Sequence, residues 1–167
     1  MKAVIYTKTG GLDVIKQESV QIPVLKDDQV LVKVKACALN IGDYQRFETK
    51  NGKIPISTYI TNKVMGYVGK PLGAEIAGIV VETGKNITHV KTGDSVFGKT
   101  AGTSPVGGIA EYAVMDADRV CLKPDNFSFE EASTISISFD TALGAVRKAE
   151  IKSEQQVMIY GASGGVG

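Results

Sequence analysis

QVMIYGASGGVG, residues 156–167, joins an apolar run to a glycine-rich turn. The run 156–160 has the length and composition of a buried strand, and the turn reads Ala162-x-Gly164-x-x-Gly167. Glycine lets a backbone approach a pyrophosphate, and the helix that follows such a turn points free N–H groups at the anion. We therefore expect a dinucleotide-binding turn; the alternative is a glycine-rich tail that binds nothing, since alanine replaces the first glycine of the fingerprint. The candidate cofactor-binding residues of the turn are Gly161, Ala162, Gly164, Gly165, Val166 and Gly167.

Composition favours an ordinary globular protein. Hydrophobic residues make up 43% and charged residues 22% of the 167-residue chain, and a net charge of +1 offers no field to attract nucleic acid. No apolar run approaches the roughly 18 residues that cross a bilayer, and the N-terminus lacks the apolar core of a secretion signal, so we expect a cytoplasmic protein. The two cysteines, Cys37 and Cys121, form no Cys-x-x-Cys pair, and both are expected in the core.

Short strands separated by glycine, proline and aspartate dominate the first three quarters of the chain. Residues 29–39 alternate valine and alanine with Lys33 and Lys35, the period of two that indicates a half-buried strand. Further strands are predicted at 74–83, at the end of 90–98, and over 107–115. Residues 41–73 are predicted to be a loop with a short helical piece. Many short strands at this spacing are typical of a closed or nearly closed barrel.

The pattern changes after Pro124. Ser128 precedes Phe-Glu-Glu-Ala as a helix N-cap with acidic residues in the first turn, and residues 141–149 form a second helical stretch, for which Thr141 is a candidate N-cap. Helices followed by a strand and a glycine turn are typical of the entry to a doubly wound α/β domain. The domain boundary is therefore predicted near residue 124.

With these segments placed, the chain resembles the medium-chain dehydrogenase/reductase superfamily, within it the zinc-free NADPH:quinone oxidoreductase-like branch. The matching blocks, in family order, are residues 34–43, 72–80, 90–98, 107–112, 129–134 and 161–167. The resemblance implies a mainly β GroES-like barrel, the catalytic domain (1–124), followed by the first helices and first strand of a Rossmann α/β nucleotide-binding domain (125–167). That second domain is incomplete here. We therefore expect a truncated N-terminal fragment of a two-domain parent, inactive on its own.

The resemblance also bears on zinc. Metal-dependent members have a cysteine ligand where this chain has Asn40 and a histidine ligand where it has Ala74, and neither replacement supplies the thiolate, imidazole or carboxylate that Zn²⁺ needs. The only histidine, His89, falls in a polar turn and is interpreted as a solvated loop residue. Glu75, close to the metal in zinc enzymes, is expected to make a structural hydrogen bond or ion pair. No metal site is predicted.

Without a metal, hydrogen-bond donors must stabilise the charge that develops on a substrate oxygen, and the resemblance implies which residues do so. Asn40 and Tyr44 are the expected hydrogen-bond donors to a substrate oxygen, and Asp43 shares their motif, with helix capping as its alternative. Thr141 matches a threonine that contacts the nicotinamide amide. Tyr59 and Tyr67 are candidates to line a flat cleft.

The implied activity is zinc-independent hydride transfer from NADPH to a quinone or an α,β-unsaturated carbonyl. The sequence alone does not separate NADPH from NADH. The implied partner is a small molecule, with no nucleic acid and no membrane. A homodimer is an option, because members often dimerise through the cofactor domain. Two alternatives stay open: a non-catalytic binding module or remnant, and, less favoured, a zinc alcohol dehydrogenase.

Overall fold

The computed structural model describes residues 1–45, 47, 56, 60, 66, 68–100 and 107–167. The strands are β1 (Lys2–Tyr6), β2 (Ile15–Ser19), β3 (Gln29–Ala38), β4 (Glu75–Thr83), β5 (Ser95–Lys99), β6 (Tyr112–Asp116) and β7 (Val120–Leu122). The helices are α1 (Ile41–Gln45), α2 (Phe129–Ala132) and α3 (Asp140–Ala149), with a π-helical segment, Ile135–Phe139, leading directly into α3. Short 3₁₀ turns occupy Leu12–Val14 and Ala117–Arg119.

Five strands form one antiparallel sheet in the order β6-β3-β4-β5-β7. The pairing of β3 with β4 shifts register twice, between Leu31 and Val32 and again between Val34 and Ala36. Such irregularities bend a strand and increase its twist, and here they accompany a sheet that curls into a half-barrel. The two-stranded β1–β2 sheet is joined to its rim by single bridges, Ala3 to Ala110 and Ile5 to Pro71. The predicted mainly β GroES-like architecture is confirmed.

The concave side of the sheet holds the main core. Val30 and Val32 of β3, Ile76 of β4, Val96 of β5 and Met115 of β6 are all fully buried there. Burying a side chain of this size contributes about 1.5–3 kcal/mol relative to leaving it in water. The core therefore fixes the ends of β3 and β4, where the candidate site lies.

The strand predictions hold with one shift. Those for β3, β4 and β5 are confirmed, but β6 begins at Tyr112 instead of Gly107. The Gly107–Gly108 backbone is instead packed against the loop before β4, where the Gly108 N–H donates to the Gly73 carbonyl at 2.5 Å. A Cβ at Gly107 would overlap the Leu72 carbonyl, so glycine is required by this close approach.

Both predicted helices are present, although the N-cap role of Thr141 is wrong. Ser128 caps α2 with a complete capping box: its Oγ accepts from the Glu131 N–H at 3.1 Å, and the Glu131 carboxylate accepts from the Ser128 N–H at 2.8 Å. Thr141 lies inside the continuous run from Ile135 to Ala149 because the π-helical segment precedes it. Its hydroxyl donates backwards to the Ile137 carbonyl at 2.6 Å.

The strand predicted at 156–160 is absent. These residues adopt no regular structure, and Val157, Met158 and Tyr160 are exposed. A strand needs a neighbour for its N–H and C=O groups, and no described strand pairs with this segment. The apolar sequence is therefore not sufficient to form a strand here. The predicted boundary near residue 124 stays a prediction.

The two cysteines differ. Cys37 is partly buried against the main core, as expected, but Cys121 on β7 is exposed because that short strand is an edge of the sheet. His89 is exposed in its turn, in agreement with its interpretation as a loop residue. Within the described ranges, no helix has the length and apolar character of a membrane span.

Candidate active site

The candidate site lies where β3 ends and α1 begins. The Asp43 carboxylate, only 4% exposed, accepts from the Asn40 N–H at 3.0 Å with one oxygen and from the Gly73 N–H at 3.2 Å with the other. Asp43 therefore caps α1 and ties it to the loop before β4, the structural role that the sequence left as an alternative. A catalytic role for Asp43 stays a prediction.

Asn40 is held by a buried carboxylate. Its Nδ2 donates to Glu75 Oε2 at 3.0 Å, and the Glu75 side chain is 1% exposed. The structural hydrogen bond expected of Glu75 is thus present. Since a carboxylate only accepts, this contact sets the amide so that nitrogen faces Glu75, and one Asn40 N–H remains for another acceptor.

The other Glu75 oxygen reaches a helix. Oε1 accepts from the Ile137 N–H at 2.7 Å, within the π-helical segment that opens the run 135–149. The first N–H groups of a helix lack intrahelical partners and carry positive partial charge, so a carboxylate at this point stabilises the helix. The Lys99 to Asp140 ion pair, 3.0 Å long, ties the same helix to β5.

Hydrogen bonds link Asn40 and Thr141 to the backbone of one residue, Ile137. Asn40 donates to Glu75, and Glu75 accepts from the Ile137 N–H. The Ile137 carbonyl, which belongs to the next peptide group, accepts from the Thr141 hydroxyl, so the two sets of bonds meet at the Ile137 backbone. The structure therefore connects the first predicted catalytic residue to the predicted nicotinamide contact. Sequence reasoning placed Asn40 and Thr141 separately and missed this connection.

A cavity of about 430 Å³ brings some of the predicted residues together. Asn40, Asp43 and Ala74 line it together with Gly165 and Val166 of the glycine turn. The apolar side chains of Leu39, Ile41 and Ile137 complete much of its wall, together with Ser138. Sequence reasoning did not single out Ile137 or Ser138, which carry no motif. Of the predicted residues, Tyr44, Thr141, Gly161, Ala162, Gly164 and Gly167 do not line this cavity.

The glycine turn is compact and exposed. Gly161 has a φ of +81°, and the Gly164 N–H donates to the Gly161 carbonyl at 3.0 Å. A Cβ on Gly167 would lie 2.5 Å from the Gly161 oxygen and from the Ala162 Cα, so a larger residue cannot take its place without rearrangement. These contacts explain why glycine is needed inside the turn. Its role in binding a cofactor stays a prediction.

Tyr44 is 41% exposed, and its ring packs edge-on against Phe47 with centroids 5.6 Å apart. This contact orients the ring, while its predicted role as donor to substrate stays a prediction. Tyr59 and Tyr67 lie outside the described residues.

The chemistry of the donors present does not favour a metal. Asn40 and Ala74 both line the cavity and offer an amide and a methyl group, neither of which is a Zn²⁺ ligand. In the part of the chain that the structure describes, no three His, Cys, Asp or Glu side chains are grouped to hold a metal ion.

Cys37 lies beneath the site as an inactive thiol. Burial, reinforced by the negative charge of Asp43, raises the pKa of Cys37 from 9.0 to about 12. A thiol with such a pKa carries almost no thiolate at neutral pH. Its role is packing, since a Cβ on Gly73 would overlap its sulfur.

Residues 26–125 match the family described as the alcohol dehydrogenase GroES-like domain. The chain belongs to this family and, through it, to the medium-chain dehydrogenase/reductase superfamily that its sequence resembles.

Two proteins of known name and one solved structure are similar to the chain. The whole chain is 39% identical to the quinone oxidoreductase of Sus scrofa, covering 47% of it. It is 33% identical to the chloroplastic NADPH-dependent alkenal/one oxidoreductase of Arabidopsis thaliana, covering 42% of that protein. The solved quinone oxidoreductase of Coxiella burnetii superposes with a TM-score of 0.79 at 28% identity, over 92% of this chain and 46% of that one. The chain thus spans about half the length of the relatives it matches.

Proposed function

We propose that the protein containing this chain transfers hydride from NADPH to a quinone or an α,β-unsaturated carbonyl without a metal ion. The observation that carries this proposal is the cavity that Asn40 and Ala74 line together with Gly165 and Val166. One cavity thus holds both a hydrogen-bond donor and part of the glycine turn that is expected to bind the cofactor. The names of the relatives, a quinone oxidoreductase and an NADPH-dependent alkenal/one oxidoreductase, support both the cofactor and the two substrate classes.

The chain's residues have distinct tasks in this proposal. NADPH, when bound by the turn 161–167, supplies the hydride. Asn40 donates its second N–H to the substrate oxygen on which negative charge develops. Leu39, Ile41 and Ile137 give the cavity apolar walls against which a flat substrate could pack. The predicted homodimer and cytoplasmic location stay predictions.

The test is NADPH oxidation by the protein in its full length, with quinone and enone acceptors, before and after dialysis against a chelator. We expect oxidation with at least one class and an unchanged rate after chelation; a rate lost on chelation and restored by Zn²⁺ would contradict the metal-free proposal. Asn40→Ala should lower kcat by about 10²–10³-fold if the amide stabilises the developing charge. Asn86→Ala, in an exposed turn, is the matched control and should leave kcat unchanged.

A further inference from the structure

The hydrogen bonds of Glu75 determine the direction in which the Asn40 side-chain amide donates. Asparagine can present either its nitrogen or its oxygen to a neighbour, and rotation of the amide by half a turn exchanges the two. A buried carboxylate on one side permits only the nitrogen there. The Asn40 amide therefore has one orientation, with its second N–H held in a fixed direction.

We propose that Glu75 is a positioning residue. It fixes the Asn40 amide and the start of the helix 135–149 relative to each other. The N–H that Asn40 donates to the substrate oxygen then stays aligned with Thr141, the predicted contact to the nicotinamide. The proposal rests on the proposed function. Its basis is that the two oxygens of one buried carboxylate serve the two elements separately, at 3.0 Å and 2.7 Å. Glu75 itself does not line the cavity, so its effect must pass through Asn40 and the helix.

Burial explains why this arrangement is rigid. Glu75 opens β4 and is followed by Ile76 in the fully buried core, so its backbone cannot shift without disturbing the sheet. A buried carboxylate that lost either partner would leave an oxygen without compensation, which is costly. Both contacts are therefore expected to persist during turnover.

Glu75→Gln separates positioning from folding. The introduced side chain has nearly the same shape but only one acceptor oxygen. If that oxygen keeps the bond to the Ile137 N–H, its nitrogen faces Asn40, and the Asn40 amide must rotate to present its oxygen. Both hydrogen bonds then survive, while the donor aimed into the cavity moves to the other side of the amide. Glu82→Gln, on the exposed end of the same strand, is the matched control.

In the full-length protein we expect Glu75→Gln to lower kcat by about 10–100-fold, while the dissociation constant for NADPH and the melting temperature stay close to those of the native protein. Glu82→Gln should change none of these. In an Asn40→Ala background the Glu75 substitution should have no further effect on kcat, because it acts through Asn40. A native kcat in Glu75→Gln, or an equal loss in both backgrounds, would overturn the proposal.

A second readout needs neither cofactor nor substrate. The side-chain amide signals of Asn40 in a ¹⁵N-correlated NMR spectrum, assigned by their loss in Asn40→Ala, should move in Glu75→Gln and stay in place in Glu82→Gln. If they do not move in Glu75→Gln, the amide has not been reoriented and the proposal is wrong. A native protein that oxidises no NADPH would instead refute the proposed function, while this measurement would still test the role of Glu75. Should Glu75→Gln fail to fold, the same signals in Glu75→Asp, whose shorter side chain cannot reach both partners, must move for the proposal to stand.

Discussion

Residues 29–38 and 156–160 are both rich in β-forming side chains, yet only the first segment is a strand. β3 pairs with β4 from Val30 to Ala38 and with β6 from Gln29 to Lys33. No described strand lies beside 156–160, and its apolar side chains face solvent. Strand propensity thus measures fit to a pleated surface and has little effect where no surface is offered.

The largest contrast is expected from core truncation. Ile76→Ala removes a fully buried side chain from the sheet and should lower the free energy of unfolding by about 2–5 kcal/mol. Ile159→Ala removes the same atoms from a residue that is 61% exposed and should change it by less than about 0.5 kcal/mol. Urea unfolding of both variants measures the difference. Equal losses would mean that residues 156–160 are packed in solution.

The glycines offer a second, smaller contrast. Gly73 and Gly161 have nearly equal φ angles, +85° and +81°, so alanine at either position meets a similar backbone cost of about 1–2 kcal/mol. Only at Gly73 does a Cβ also meet neighbours, the Cys37 sulfur and Ile109 Cγ1 at 2.9 Å. Gly73→Ala should therefore lose about 1–3 kcal/mol more than Gly161→Ala in the same denaturation experiment. If Gly161→Ala lost as much stability as Gly73→Ala, the backbone conformation alone would set the cost of both substitutions.

The capping serine gives a still smaller effect. Ser128→Ala removes the acceptor for the Glu131 N–H and should cost about 1 kcal/mol of stability. Ser153→Ala, in the segment that follows α3, touches only the exposed Glu154 and should lie within about 0.5 kcal/mol of the native protein. Thermal unfolding of the two variants makes the comparison, and a cost at Ser153 as large as that at Ser128 would be unexpected.

The features that could be predicted from the sequence are those set by residues close together in the chain. β3, β4 and the Ser128 cap depend on patterns within a few residues, and these were predicted correctly. The bond from Glu75 to Ile137 joins residues 62 positions apart, and it depends on a π-helical start that no local pattern announces. The N-cap assigned to Thr141 failed for that reason.

The candidate site was predicted only in part. Asn40 and Ala74 both line the cavity because β3 pairs with β4, and the two residues lie just beyond the paired ends of these strands. The sequence predicted both strands but not their pairing. The approach of Gly165 to Ser138, where an added Cβ would lie 3.2 Å from the hydroxyl oxygen, depends on the path of the chain after α3. Such paths are set by tertiary contacts, which a motif does not encode.

The two cysteines of the sheet differ in burial. The buried one, Cys37, is expected to change the free energy of unfolding at alkaline pH and to have no such effect at neutral pH. In the folded protein Cys37 keeps its proton up to about pH 12, whereas an unfolded cysteine loses it above about 9. Above pH 9 the folded state therefore binds more protons than the unfolded state, and the free energy of unfolding falls as pH rises from 9 to 12. Lysine and tyrosine titrate in the same range, so the measurement is the difference between the native protein and Cys37→Ala, whose slope should be smaller. Alkylation at pH 8 followed by mass spectrometry should modify Cys121 and leave Cys37 unmodified until the sheet unfolds; rapid modification of Cys37 would mean that its thiol is not shielded by Gly73 and Gly108.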